Sequence, residues 1–292
     1  MSNYPQKNIT IEQVQAQGYT FTFENHKQYS DRYIVFLHGW CAVRYFWYYI
    51  IEEFYESGNC ILFDLIGHNN KPIPKTFFSS NANLETFLKV QAEAIGAALQ
   101  GKKVTLVGHS AGGLAALGVA ALAPDMVEKV VTICPPAYGP IKGLLYPAKV
   151  VNDLKLDFIN FTTLELVKFI PNLIFTWFSK GSGNEKEFLS IPNIKLFLQQ
   201  YQKRFRVLNV KTINQYLKVL DKSDILPFLD NYKVPTLLIA GENDPLVSPK
   251  QFLEIGSKSD SIQIEHFYNS GHIPMMEERD KFLYTVKNFI KE

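Results

Sequence analysis

The sequence is short of most features that mark a specialised chain. Only three of its 292 residues are cysteine, Cys41, Cys60 and Cys134. Three thiols cannot all pair, and two lie in or beside apolar runs, so they read as small buried hydrophobes of a reducing compartment, not as a disulfide framework. Charge of one sign is lacking as well: 30 Lys and Arg stand against 28 Asp and Glu, net +2, with the basic residues dispersed. That removes nucleic acid from the expected partners. Long hydrophobic runs are absent; the most apolar helical stretch, Leu114 to Ala123, is too short for a bilayer, which needs about 20 residues. Met1 to Gln17 is polar and lacks the basic-then-apolar order of a signal peptide, so a cytoplasmic protein is expected. No C-x-x-C, H-E-x-x-H or clustered His and Asp spacing is present, so neither a metal nor a cofactor is expected. Repeats and low-complexity tracts are missing too.

What remains is a well-stocked core, 47% hydrophobic and 14% aromatic. Strand-like and helix-like runs alternate, which predicts a mostly parallel sheet with helices on both faces. Strands are expected at Tyr33 to Leu37, Cys60 to Phe63, Lys103 to Val107, Lys129 to Ile133, Val234 to Ala240 and Ile262 to Phe267, with an antiparallel strand at Tyr19 to Glu24. Helices are expected at Val43 to Glu56, Leu84 to Gln100, Ala111 to Leu122, Pro249 to Ile255 and Glu277 to Ile290. Between Pro136 and about Ser223 the alternation stops and only helical stretches occur. The chain thus divides into a core, 1–136 and 224–292, and a helical insertion, 137–223, after the sixth strand.

One motif stands out. Gly108-His109-Ser110-Ala111-Gly112 joins a strand to a small-residue helix, the context of a nucleophile elbow. So sharp a turn strains its serine, and glycines two residues away avoid a collision. A serine hydroxyl is a poor nucleophile without a base and a group that orients the base. His272 and Asp244, each on a loop at the end of a strand, are the candidates for those roles. Competing readings make Ser110 a helix cap and Asp244 an Asx turn before Pro245, with Glu242 as the alternative acid. The loop after the sixth strand, Cys134 to Tyr138, holds no carboxylate, which favours Asp244. His38, His68, His109 and His266 read first as structural, with His109 turned away from the serine.

The order Ser110, Asp244, His272, together with His38-Gly39-Trp40, Asp64-Leu65-Ile66-Gly67-His68 and the loops at Gly241 and Gly271, resembles the α/β-hydrolase superfamily. The likeness is to its lid-bearing branch of esterases, lipases and carbon-carbon bond hydrolases. It implies an eight-stranded sheet, a helical lid at 137–223, and an oxyanion hole formed by the backbone N–H groups of Trp40 and Ala111. His38, Gly39 and His109 become candidates for the substrate-facing wall. One departure is visible: the family often writes D-x-x-G-x-G-x-S where this chain has Asp64-Leu65-Ile66-Gly67-His68-Asn69-Asn70-Lys71.

Aromatic residues crowd the insertion, among them Tyr138, Phe175, Trp177 and Phe178. They either fill its own interior or line an apolar acyl or aromatic pocket. Shallow contact with a lipid interface is a third use, suggested by Lys168 and Lys180 flanking the segment. The leading expectation is hydrolysis of a small apolar carboxylic ester through an acyl-enzyme. Carbon-carbon hydrolysis, acyl transfer or cyclising thioesterase action, and slow-turnover ligand reception use the same residues. An aspartate nucleophile, as in haloalkane dehalogenases and epoxide hydrolases of this fold, is excluded by Ser110. The sequence fixes no oligomeric state.

Overall fold

The computed structural model describes residues 8–78 and 84–291. Eight strands, β1 (Ile9–Ala16), β2 (Tyr19–His26), β3 (Tyr33–Leu37), β4 (Asn59–Phe63), β5 (Val104–His109), β6 (Val127–Ile133), β7 (Thr236–Gly241) and β8 (Ile262–Phe267), form one sheet ordered β1-β2-β4-β3-β5-β6-β7-β8. β2 runs antiparallel to both β1 and β4, and every other pair is parallel. The β3, β4, β5 and β7 segments are almost wholly buried, which is why they read as continuous apolar runs.

Strand β1 was not legible. It lies at the sheet edge, half exposed and interrupted by Glu12 and Gln13. Its register comes from a tight turn, because Gln17 and Gly18 both have positive φ, 47° and 82°, and Ala16 pairs directly with Tyr19. A two-residue hairpin turn of this hand needs those angles, and Gln-Gly carries a weaker signal than Asn-Gly.

The helices are α1 (Leu84–Ala98), α2 (Ala111–Leu122), α3 (Tyr146–Asp153), α4 (Asp157–Phe169), α5 (Pro171–Gly181), α6 (Glu185–Ser190), α7 (Ile194–Phe205), α8 (Val210–Asp221), α9 (Pro249–Gly256), α10 (Pro274–Glu277) and α11 (Arg279–Lys291). Six of them, α3 to α8, lie between β6 and β7, where only helical stretches are expected. The helix expected over Val43 to Glu56 is instead two 3-10 turns, Arg44–Tyr49 and Ile51–Phe54. Aromatic side chains form helix poorly, and here Tyr45, Phe46 and Trp47 are buried in succession, which no single helical stripe allows. The C-terminal helix is likewise two pieces, α10 and α11.

No single helix among the described residues is long and apolar enough to cross a membrane. The pair Asp157–Phe169 and Leu173–Gly181 has the composition together but bends by 104°.

From β3 the chain moves to β4 on one side, then to β5 on the other, so the loops after β3 and β5 diverge at the sheet's centre. Such a switch point opens a crevice at the carboxyl ends of the strands. There α2 presses its first turn onto the loop after β3. A Cβ on Gly112 would lie 2.3 Å from the Leu37 carbonyl oxygen, and one on Gly108 would lie 2.2 Å from that of Gly112. At a helical position alanine normally exceeds glycine by about 1 kcal/mol. We expect the sign to reverse for Gly112→Ala, with a loss of about 3 kcal/mol read as a lower urea midpoint; an unchanged midpoint contradicts this packing.

On β2, next to the edge strand β1, Glu24 accepts a hydrogen bond from Tyr48 at 2.7 Å and pairs with Arg44, which also binds buried Asp64. Burial alone would raise the Glu24 carboxyl, but His26, Tyr48 and Arg44 outweigh it and pull the pKa down to about 2. The unfolded chain takes up this proton from about pH 4.5 downward, whereas the folded chain resists until about 2. The stability these contacts supply is therefore full above that interval and drains away as pH falls through it. Glu24→Gln is expected to lose on the order of 3 kcal/mol at pH 7 and much less near pH 2.5; equal losses in denaturation at both pH values would refute the coupling.

Candidate active site

Ser110 stands between β5 and α2 at φ 54°, ψ −120°, a conformation rarely tolerated outside glycine. It occupies the position of a helix cap, yet its side chain makes no cap hydrogen bond. The turn is held by its backbone: Ser110 N–H donates to the Ile133 carbonyl at 2.8 Å and the Ser110 carbonyl accepts from Leu114 at 3.0 Å. Ser110 is partly exposed and opens into the same cavity as His272.

The loop after β7 brings in Asp244, whose side chain is fully buried. Its Oδ1 accepts from the amides of Leu246 at 2.7 Å and Val247 at 3.0 Å, so the Asx turn does form. Its Oδ2 is left to pair with His272 Nδ1 at 2.6 Å. Glu242 points elsewhere, onto His266 Nδ1 at 2.5 Å. With Nδ1 committed to the carboxylate, the imidazole keeps Nε2 for the cavity.

The His272 loop is clamped from the insertion. His272 N–H donates to the Gly181 carbonyl at 2.8 Å, and the Glu277 carboxylate accepts from Gly271 at 3.0 Å, Ile273 at 3.3 Å and Gly183 at 2.6 Å. Burial raises the Glu277 carboxyl even though these three amides favour its charge. Sequence reasoning missed Glu277; a lone glutamate near a helix start carries no signal of the segment it will meet.

His109 corrects an expectation. It does not turn from the serine but lines the cavity, stacked on Phe46 at 4.9 Å. Its Nε2–H donates to the His272 carbonyl at 2.7 Å, which leaves Nδ1 buried and without a partner among the described residues. Burial, with His272 beside it, holds its pKa well below the usual histidine value. His38, a candidate for the wall, is fully buried and does not line the cavity. It donates from Nδ1 to the Gly39 carbonyl at 2.9 Å and accepts the Leu65 amide at 3.4 Å. Gly39 does line the cavity, close enough that a Cβ there would meet that of Ser110 at 3.2 Å.

The departing loop after β4 acquires its shape from other residues. Gln91 accepts from Ile66, Tyr19 from Gly67, and Thr212 donates to the Gly67 carbonyl at 2.6 Å. His68, neutralised by burial, accepts the Cys41 amide at 3.1 Å and so steadies the loop that carries Trp40.

Trp40 lines the cavity, and its indole N–H donates to the Ile213 carbonyl of α8 at 2.8 Å. Ala111 opens α2, where an N–H has no carbonyl of its own helix to meet.

The cavity at Ser110 spans roughly 810 Å³ of empty space, part of it open solvent at its mouth. Apolar walls come from both core and insertion, including Phe46, Leu164, Trp177 and Phe178, and no Asp, Glu, Lys or Arg lines it. A second lobe of roughly 530 Å³ meets the first at Trp40, Ser110 and His272, and it holds Tyr138, Lys142 and Gln251. Phe175 lines neither lobe; it packs against the core. Among the described residues one group could offer ligands to a metal, Cys134, Asp244 and His272, with donor atoms within 4.8 Å of one another. Two of those three already bind each other, and burial pushes the Cys134 thiol up, away from the thiolate a metal needs.

Comparison with known proteins agrees with this architecture. The chain is 26% identical over 265 residues to a pimeloyl-[acyl-carrier protein] methyl ester esterase of Wigglesworthia glossinidia brevipalpis, covering 89% of this chain and 93% of that protein. It is 27% identical over 203 residues to an sn-1-specific diacylglycerol lipase of Xenopus tropicalis, covering 66% and 58%. Two solved structures share the fold across 96% of the chain. One is an enol-lactonase from Burkholderia xenovorans LB400, fully covered at TM-score 0.76 and 17% identity; the other is an esterase from Exiguobacterium antarcticum, 99% covered at 0.75 and 22%. The sequence profile of the alpha/beta hydrolase fold matches residues 33–279, and the chain belongs to that family.

Proposed function

We propose that this chain hydrolyses carboxylic esters of apolar acyl groups, with Ser110 as nucleophile, His272 as general base and Asp244 as the acid that orients it. The observation that carries this reading is the 2.6 Å contact between Asp244 and His272 beside a serine held at φ 54° at the mouth of an apolar cavity. As Ser110 Oγ attacks the ester carbonyl, its proton passes to His272 Nε2, and Asp244 stabilises the resulting imidazolium. The N–H groups of Trp40 and Ala111 receive the oxyanion, each contributing on the order of 3 kcal/mol. His272 then returns the proton to the departing alcohol. Water, deprotonated in its turn by His272, releases the acid and restores the serine.

The acyl group belongs in the larger lobe, whose walls carry no permanent charge, and the alcohol in the smaller lobe beside Tyr138 and Gln251. Segment 137–223 acts as the lid, because Trp177, Phe178 and Leu164 form the roof of the acyl lobe. The compounds for which two relatives are named, a pimeloyl-[acyl-carrier protein] methyl ester and a diacylglycerol, are both carboxylic esters, which supports this class of substrate.

A panel of p-nitrophenyl esters of increasing acyl length tests the reading. Each added methylene is expected to raise kcat/KM by about fourfold, from roughly 0.8 kcal/mol of transfer free energy, until the lobe is full. Ser110→Ala is expected to lower kcat by about 10⁶-fold and Asp244→Asn by about 10⁴-fold, while Glu242→Gln retains activity. Turnover by Ser110→Ala, or a loss confined to Glu242→Gln, would overturn the assignment.

A further inference from the structure

Charge and apolar exposure are both concentrated on the insertion. Residues 137–223 hold 13 Lys and Arg against 6 Asp and Glu, net +7, whereas the rest of the chain holds 17 against 22, net −5. Five of those six carboxylates already bind insertion lysines: Asp153 and Asp221 with Lys149, Asp157 with Lys218, Glu165 with Lys168 and Glu185 with Lys180. Nine basic side chains of the insertion are thereby left with no carboxylate partner among the described residues. The same segment carries twelve of the seventeen exposed large apolar side chains.

These apolar groups are ordered. Along α4, Phe158, Leu166 and Phe169 fall on one face at helical spacing, exposed by 62%, 49% and 62%. Thr162 lies on that face, but its hydroxyl donates to the Phe158 carbonyl at 2.8 Å, and neighbouring Thr163 donates to Ile159 at 2.9 Å. Glu165, its side chain 49% exposed, lies on the same face beside Phe158 and Phe169, and its carboxylate pairs with Lys168 at 3.0 Å. Leu154, 63% exposed, and Lys155 lie in the turn that precedes α4, and the Arg206 guanidinium lies 5.5 Å from the Phe169 ring at the far end of the helix. Of the run beside Lys168 and Lys180 that the sequence suggested for lipid contact, Phe169 belongs to this surface, whereas Ile174 and Phe178 of α5 are buried.

We propose that the α4 face of the insertion docks on an anionic lipid bilayer. A helix with its apolar stripe seated among acyl chains and cations at the flanks is the arrangement of an interfacial element. Leu164, on the buried side of α4, lines the acyl lobe, so the same helix joins the docking face to the cavity. The surface goes beyond the ester-hydrolase reading and is tested without turnover.

Sedimentation with vesicles of phosphatidylcholine, alone or with phosphatidylglycerol, uses full-length Ser110→Ala protein, so a failure of the hydrolase reading leaves the binding result untouched. Phosphatidylglycerol is expected to raise partitioning at least about tenfold, and added salt to reverse the gain. Phe158→Ser with Phe169→Ser, in otherwise native protein, is expected to lose about tenfold in partitioning while keeping its melting temperature and its rate on a short soluble ester. Lys155→Glu with Arg206→Glu is expected to abolish the preference for phosphatidylglycerol with the apolar stripe intact. No partitioning to either vesicle, or undiminished partitioning by both double variants, would overturn the proposal. So would elution as a dimer that Phe158→Ser with Phe169→Ser dissociates, because the stripe would then belong to a second copy of the chain.

Discussion

Two backbones meet at the centre of the sheet too closely for either to carry an ordinary side chain between them. The first turn of α2 rests on the carbonyls of Leu37 and His38, and the turn that allows this holds Ser110 at positive φ. The strain is held in place by the buried apolar packing of β3, β5 and residues 111–120 of α2. From that one approach follow the exposure of the serine, the nearness of Gly39 and Trp40 to it, and the location of the cavity at the switch point between β3 and β5. A looser crossing would withdraw the hydroxyl into the helix as a cap.

The remaining parts of the site reach the serine from distant stretches of chain, and backbone hydrogen bonds fix their positions. Asp244 divides its two oxygens between its own turn and His272, so the carboxylate cannot rotate without losing both. Glu277 gathers amides from either side of His272 and from Gly183 in the insertion. The insertion therefore does more than cover the cavity: the Gly181 carbonyl and the Gly183 amide hold the loop that carries the histidine. The wall of the cavity and the posture of His272 are physically joined.

Much of this was legible in the sequence. Strand β3 and helix α2 match their expected bounds, because buried parallel strands and small-residue helices carry strong patterns, and the half-exposed edge strand β8 matches through its alternation. The elbow and loop motifs that single out Ser110, Asp244 and His272 are local, and the structure brings Ser110 and His272 to one cavity with Asp244 bonded to His272. The unread parts depend on contacts far away in the chain. β1 alternates weakly and takes its register from β2, while the 3-10 turns at 44–54 follow from aromatic packing. His109 faces the cavity because Phe46 and the His272 carbonyl receive it there, and Glu277 acquires its role only when Gly183 arrives.

The central claim is that Ser110 is an activated nucleophile, and a fluorophosphonate that forms a covalent adduct only with such a serine tests it most directly. The account predicts one adduct by intact mass, carried by the peptide containing Ser110 and lost in His272→Ala. No adduct on the native protein, or an adduct that survives Ser110→Ala, would contradict it.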